Sequence, residues 1–120
     1  MNLKEIADEL VAGCREDRAK ENLEKLYAED AVSVEAQDME GMGRETHGRD
    51  AIRGKHEWWE GAHEVSGASV SDPFPHGDDR FAVIFEVQGT VKETGEAFDM
   101  KEVGVYHVAN GKIVREEFFY

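Results

Sequence analysis

Cysteine, proline and cationic side chains are scarce in this 120-residue chain, and no long apolar run occurs anywhere in it. Cys14 is the single cysteine, so an internal disulfide is excluded, and its place among Ile6, Leu10 and Val11 reads as a buried thiol in a reducing compartment. The two prolines, Pro73 and Pro75, fall together in Asp72 to Gly77, a stretch that reads as a loop. The start, Met1 to Ile6, lacks the basic region, apolar core and small-residue cleavage site of a secretory signal, so a cytoplasmic location is expected. Only 14 Lys and Arg stand against 27 Asp and Glu, a formal charge of −13 that repels phosphate backbones and anionic lipid, so neither nucleic acid nor membrane is an expected partner. What is present, 40% hydrophobic and 34% charged residues, is the balance of a soluble globular protein with one core, and one domain over residues 1–120 is expected.

Leu3, Ile6, Ala7, Leu10, Val11 and Cys14 recur at spacings of three and four, one apolar stripe on a helix. Ala19, Leu23, Leu26 and Tyr27 predict a second, shorter helix reaching about Ala28. Ala31 to Glu35 alternates as a strand does, with Val32 and Val34 on one side and Ala31, Ser33 and Glu35 on the other. Ala36 to Gly43 has no period and reads as a mobile loop leading to Arg44–His47. A third helix follows, with Asp50 as candidate N-cap and Ile52, His56, Trp59 and His63 along one face. From there the texture is that of strands: Glu64 to Ser71, Arg80 to Val91, Ala97 to Val108 and Lys112 to Phe119, with Asn110-Gly111 the strongest turn signal. Helices first and an antiparallel meander afterwards predict an α+β architecture.

Three segments carry a family likeness: Leu26-Tyr27-Ala28-Glu29-Asp30-Ala31-Val32, Gly48-Arg49-Asp50-Ala51-Ile52, and Gly111 to Tyr120. With the order of elements they resemble the nuclear transport factor 2-like superfamily and, within it, the SnoaL-like proteins, over nearly the whole chain. The resemblance implies a cone in which three N-terminal helices pack on a strongly curved, mainly antiparallel sheet around an apolar cavity, with a homodimer formed through the outer sheet face. It implies no single activity, because the superfamily includes ketosteroid isomerase, polyketide cyclases, dehydratases, epoxide hydrolases and non-catalytic binding proteins.

Three glutamates are the candidate catalytic residues. Glu102 shares a strand face with Phe98, Met100, Gly104, Tyr106 and Val108, and apolar surroundings raise a carboxyl pKa toward the range useful for acid or base catalysis. Glu35 stands where the resemblance to ketosteroid isomerase places that family's general-base aspartate. The same resemblance puts Val11 at its oxyanion-stabilising tyrosine and Gly104 at its neutral aspartic acid. These two departures remove the donors that enolate chemistry needs and argue against classical steroid isomerisation. Glu116 depends on the hairpin. A three-residue loop pairing Val108 with Lys112 turns it inward opposite Gly104, whereas a two-residue loop brings Arg115, Glu117 and Phe119 to the Glu102 face instead. The resemblance favours the first.

Candidate substrate-binding residues are His56 and Trp59 from the third helix and Phe85, Tyr106 and Phe118 from the strands. His56, Glu60 and His63 lie within two helical turns, but the histidines are seven residues apart and no Cys or Asp cluster supports them, so no metal is expected. No nucleotide or phosphate fingerprint occurs, and no cofactor is expected. The function these residues point to is cofactor-independent acid/base catalysis, by cyclisation, isomerisation or dehydration, on a small, largely apolar carbonyl or hydroxyl compound. The competing reading is a non-catalytic protein that binds a small molecule in the same cavity.

Overall fold

The computed structural model describes residues 1–38, 41 and 43–120. Helix α1 (Leu3–Arg15) opens on a reciprocal cap in which the Asn2 side chain accepts from the Glu5 N–H and the Glu5 carboxylate from the Asn2 N–H, both at 2.9 Å. Helix α2 (Ala19–Leu26) stops two residues short of the expected Ala28. Tyr27 already has extended backbone and begins strand β1 (Tyr27–Val34), so helix passes into strand with no loop between them. Strand β2 (Glu45–His47) pairs antiparallel with β1, and helix α3 spans Arg49–Ala62. Its N-cap is Gly48, not Asp50: φ of 93° at this position suits glycine, the Gly48 carbonyl accepts the first helical bond from Ile52, and Asp50 in the first turn binds Arg53 at 2.8 Å. The loop expected over Ala36–Gly43 contains Met39, Glu40 and Met42, which lie outside the described residues.

The remaining strands are β3 (His63–Val70), β4 (Phe74–His76), β5 (Arg80–Val91), β6 (Ala97–Ala109) and β7 (Lys112–Phe119). Strand β4 replaces the loop expected around the two prolines; it lies on the sheet's margin against Phe81 and its neighbours, where a missing N–H is tolerated. The sheet runs β2-β1-β7-β6-β5-β3, with β4 attached to β5. Among the described strands, β1 and β7 are the parallel pair and the others are antiparallel. The apolar stripes of the helices meet the concave face: Ile6, Leu10 and Val11 of α1, Leu23 and Leu26 of α2 and Ile52 of α3 pack with Phe81, Val83, Tyr106 and Ile113 of the sheet.

The β6–β7 hairpin follows neither expected register throughout. Asn110 and Gly111, both at positive φ, form a two-residue turn that pairs Ala109 with Lys112 and Val108 with Ile113. A bulge at Val114 then inserts one residue, so that Tyr106 pairs with Glu116 and Gly104 with Phe118. Glu116 therefore faces inward, but opposite Tyr106 and not opposite Gly104. A second irregularity in β3, between Val65 and Gly67, sits against Gly89 of β5. A Cβ at Gly89 would collide with the Glu64 carbonyl and come within 3.0 Å of the Val65 Cα. Gly89→Ala should lower unfolding stability by about 1–3 kcal/mol, whereas Gly54→Ala, exposed on α3 with open space around it, should raise it by ~0.5–1 kcal/mol. Urea unfolding of the pair checks this, and an unaffected Gly89→Ala would show that close strand approach does not constrain the bend.

Candidate active site

Leu10 and Cys14 of α1 and Ala19 and Asn22 of α2 form one side of a cavity of about 180 Å³. Tyr27, His56, Phe85, Glu102, Tyr106, Glu116 and Phe118 complete its lining. Of the eight residues expected at the site, six thus line this cavity: Glu102, Glu116, His56, Phe85, Tyr106 and Phe118.

The other two are placed elsewhere. Trp59 is not among the lining residues; its ring stacks on His63 with centroids 4.4 Å apart and meets Phe98 edge-on, while His63 Nδ1 donates to the Trp59 carbonyl at 2.8 Å. His56 and His63 accordingly belong to different environments, and among the described residues no three metal-ligating side chains come together. Glu35 stands just beyond the lining, where Lys55 donates to it at 2.7 Å and the Tyr120 hydroxyl at 3.1 Å. As a base it would first have to leave this ion pair.

Glu116 is the most constrained of the three carboxylates, with 1% of its surface exposed. Its Cα is paired with Ser33 across the parallel β1–β7 ladder and with Tyr106 across the hairpin. Ser33 Oγ donates to one carboxylate oxygen at 3.0 Å and the Tyr27 hydroxyl donates to the other. Lys55 Nζ donates in turn to Ser33 Oγ at 2.5 Å and lies 5.4 Å from the centre of the Phe118 ring. The chain Tyr27–Glu116–Ser33–Lys55–Glu35–Tyr120 thus carries hydrogen bonds from the cavity wall to the surface. Burial, and then the negative charge of Glu116, push the Tyr27 and Tyr106 hydroxyls well above the ordinary tyrosine range, so both remain protonated donors near neutral pH.

Glu102 has no such partners among the described residues. Burial first, then the charges of Glu35 and Glu116, raise its pKa to about 7, against the opposing pull of Lys55. Burial also holds the His56 imidazole below its ordinary value, so it is neutral at pH 7, and pushes the Cys14 thiol up to about 11. Gly104, two residues beyond Glu102 on the same strand face, has no room for a carboxylate: a Cβ there would lie 3.1 to 3.2 Å from the rings of Phe85, Tyr106 and Phe118. Val11 is core rather than lining, and its neighbours Leu10 and Cys14 reach the cavity instead.

This cavity between helices and curved sheet is the setting of a known family. The SnoaL-like domain family matches residues 1–120. The chain belongs to the SnoaL-like family. A Mesorhizobium loti protein named as a putative SnoaL-like polyketide cyclase is 41% identical with a TM-score of 0.92, each chain covered over 100% of its length. A Bacillus subtilis protein named as a putative isomerase is 25% identical, with a TM-score of 0.78 over 98% of this chain and 88% of that one. A Mycobacterium tuberculosis protein in complex with estradiol-17β-hemisuccinate, 18% identical with a TM-score of 0.74 over 100% of this chain and 95% of that one, shares the fold. No curated protein matches the chain. Among the described residues of this SnoaL-like chain, no helix is long and apolar enough to cross a membrane.

Tyr27, Ser33, Lys55 and Asn22 are site residues that the sequence pattern does not single out. Ser33 shares a strand parity with Glu35, and that parity is a usable signal; the other three come from helix ends and faces whose orientation only packing decides.

The pKa of Glu102 has a consequence for stability. Its folded value, about 7, lies above the ordinary value of 4.5, so the folded state binds the proton more tightly. The resulting stabilisation is complete below pH 4.5 and is lost as pH rises through 7, a loss of about 3 kcal/mol. Glu102→Gln, which cannot ionise, should therefore gain stability on the wild type by about that amount between pH 4.5 and about pH 8. Parallel denaturation curves for the two proteins at several pH values would expose an error here as a constant difference.

Proposed function

We propose that this SnoaL-like chain is a cofactor-independent acid/base enzyme of the cyclase, isomerase or dehydratase type, acting on a small, largely apolar carbonyl or hydroxyl compound. The observation that carries the reading is the contrast between two glutamates in one cavity wall. Glu116 has both oxygens occupied by hydroxyl donors, while Glu102 has a pKa of about 7 and no hydrogen-bond partner among the described residues. A carboxyl that is half ionised near neutrality can remove a proton in one step and return it in the next.

In this mechanism the Glu102 carboxylate takes a proton from the carbon beside the substrate's carbonyl, and the electron pair moves toward the carbonyl oxygen. His56, neutral, and the protonated Tyr106 hydroxyl are the cavity groups that donate to that oxygen as its charge develops. The protonated Glu102 then returns its proton to a different atom of the same compound, which completes an isomerisation, or protonates a departing hydroxyl, which completes a dehydration. Glu116 acts through its fixed charge, and Glu35, paired with Lys55, adds to that field from outside the cavity. The polyketide cyclase and isomerase names of the two more similar structures support this class of chemistry.

The reading extends to assembly as a homodimer through the outer sheet face. Ile84, Val103 and Phe119 lie in one row across β5, β6 and β7, and Phe119 is exposed. Phe119→Lys should shift sedimentation from dimer toward monomer; an unchanged species would exclude this face.

Exchange of α-hydrogens of cyclohexanone and similar one-ring ketones in D₂O, followed by NMR, tests the catalytic reading. The wild type should exchange ~100-fold or more faster than Glu102→Gln, with a rate that climbs as pH passes about 7 and then levels. Equal rates in the two proteins would remove Glu102 from catalysis, and ketone binding with no exchange at all would favour the non-catalytic binding protein.

A further inference from the structure

Lys55 is a charged residue beside the cavity to which the mechanism gives no task. Helix α3 presents His56 to the cavity and the residue before it, Lys55, to the end of β1, where 22% of the lysine side chain is exposed. Its ammonium donates to Glu35 at 2.7 Å and to Ser33 Oγ at 2.5 Å, and lies 5.4 Å from the centre of the Phe118 ring. An ammonium only donates, so Ser33 Oγ accepts from it, and the single hydroxyl hydrogen of Ser33 is left for Glu116 at 3.0 Å. One cation thus holds two carboxylates, Glu35 directly and Glu116 through a buried hydroxyl.

Around Glu102, the hydroxyls of Tyr27, Tyr106 and Tyr120 are pushed above the ordinary tyrosine range and keep their protons. Burial keeps the Cys14 thiol protonated and His56 neutral. Arg44 is exposed and binds the Glu35 carbonyl, not its carboxylate. The charges that act on Glu102 are therefore Glu35 just past β1, Glu116 on β7 and Lys55 on α3, and of these Lys55 is the cation. The same ammonium adds to burial in keeping His56 neutral. From this arrangement we infer that Lys55 is a positioning residue for Glu102: paired with Glu35 outside the cavity and tied to Glu116 through Ser33, it sets the pH at which Glu102 gives up its proton. The inference deepens the proposed function and rests on it for its purpose, since a base and a neutral donor are what Lys55 favours at Glu102 and His56.

Lys55 and Glu35 are the two halves of one ion pair, so a purely structural role would make removal of either disturb the site in the same way. A role through charge makes the two effects opposite. With the Glu102 carboxyl of the full chain followed by ¹³C NMR titration, Lys55→Met should raise the midpoint by about 0.5 to 1 pH unit, because two negative neighbours lose their cation. Glu35→Gln should lower it by a similar amount, because one negative neighbour is gone and the cation stays. Lys55→Arg, which keeps the charge, should move the midpoint less than Lys55→Met does. Lys55→Gln, which keeps a donor for Ser33, serves if Lys55→Met folds poorly. Shifts of the same sign on removal of Lys55 and of Glu35, or a midpoint unmoved when the cation is lost, would overturn the inference. The pH of half-maximal α-hydrogen exchange should follow the midpoint in each variant. The titration itself needs no turnover, so a chain without catalysis would still show the opposite shifts, and failure of the catalytic reading is seen separately.

Discussion

A carboxylate with almost none of its surface in water persists inside a protein only where hydroxyls and cations replace the solvent it has lost. Glu116 is held in that way by Tyr27 and Ser33, with Lys55 behind Ser33. All of these contacts come from β1 and α3, so satisfying one charge on β7 also fixes the parallel pairing of first and last strands and the docking of the third helix. Breaking the arrangement would leave a buried charge without partners, which is among the largest single penalties available to a domain of this size.

The cavity's chemistry follows from that anchored charge and from the apolar walls around it. Glu102 lines the same cavity with less solvent than a carboxylate requires and with two negative neighbours, and the response is retention of its proton up to about pH 7. The hydroxyls of Tyr27 and Tyr106 retain theirs for related reasons. Three aromatic rings close the space beside Gly104, and the carboxyl that this strand presents to the cavity stands two residues away, at Glu102. The SnoaL-like fold supplies the cone; the distribution of partners among its glutamates separates a carboxylate tied by hydroxyl donors, Glu116, from one whose pKa is raised, Glu102.

Much of this arrangement is legible in the amino-acid order. The stripe of Ile6, Leu10 and Val11 and the parity of β5 and β6 are periodic signals that burial alone enforces, and they place Glu102, Tyr106 and Phe85 on the inner face. The inward turn of Glu116 is not fixed by pattern, because parity in a hairpin hangs on a single residue: the chain uses the short Asn110-Gly111 turn and then recovers the inward register with a bulge at Val114, which no local signal announces. Trp59 departs from its expected place because a helix face does not say which of its turns overlooks a cavity and which overlooks a β-strand end; here Phe98 and His63 claim the ring. The partners of Glu35 lie 20 and 85 residues away, beyond the reach of local periodicity. Asn22 escapes the pattern for the same reason, since the place of its amide is set by Glu9 and Gly13 on another helix.

The central claim is that Glu102 titrates near neutral pH, well above an ordinary carboxyl, while lining the cavity. Selective ¹³C labelling of glutamate and an NMR titration of the Glu102 side-chain carboxyl, assigned with Glu102→Gln, measures this directly. The account predicts a midpoint at about 7; a midpoint near the ordinary 4.5 would contradict it.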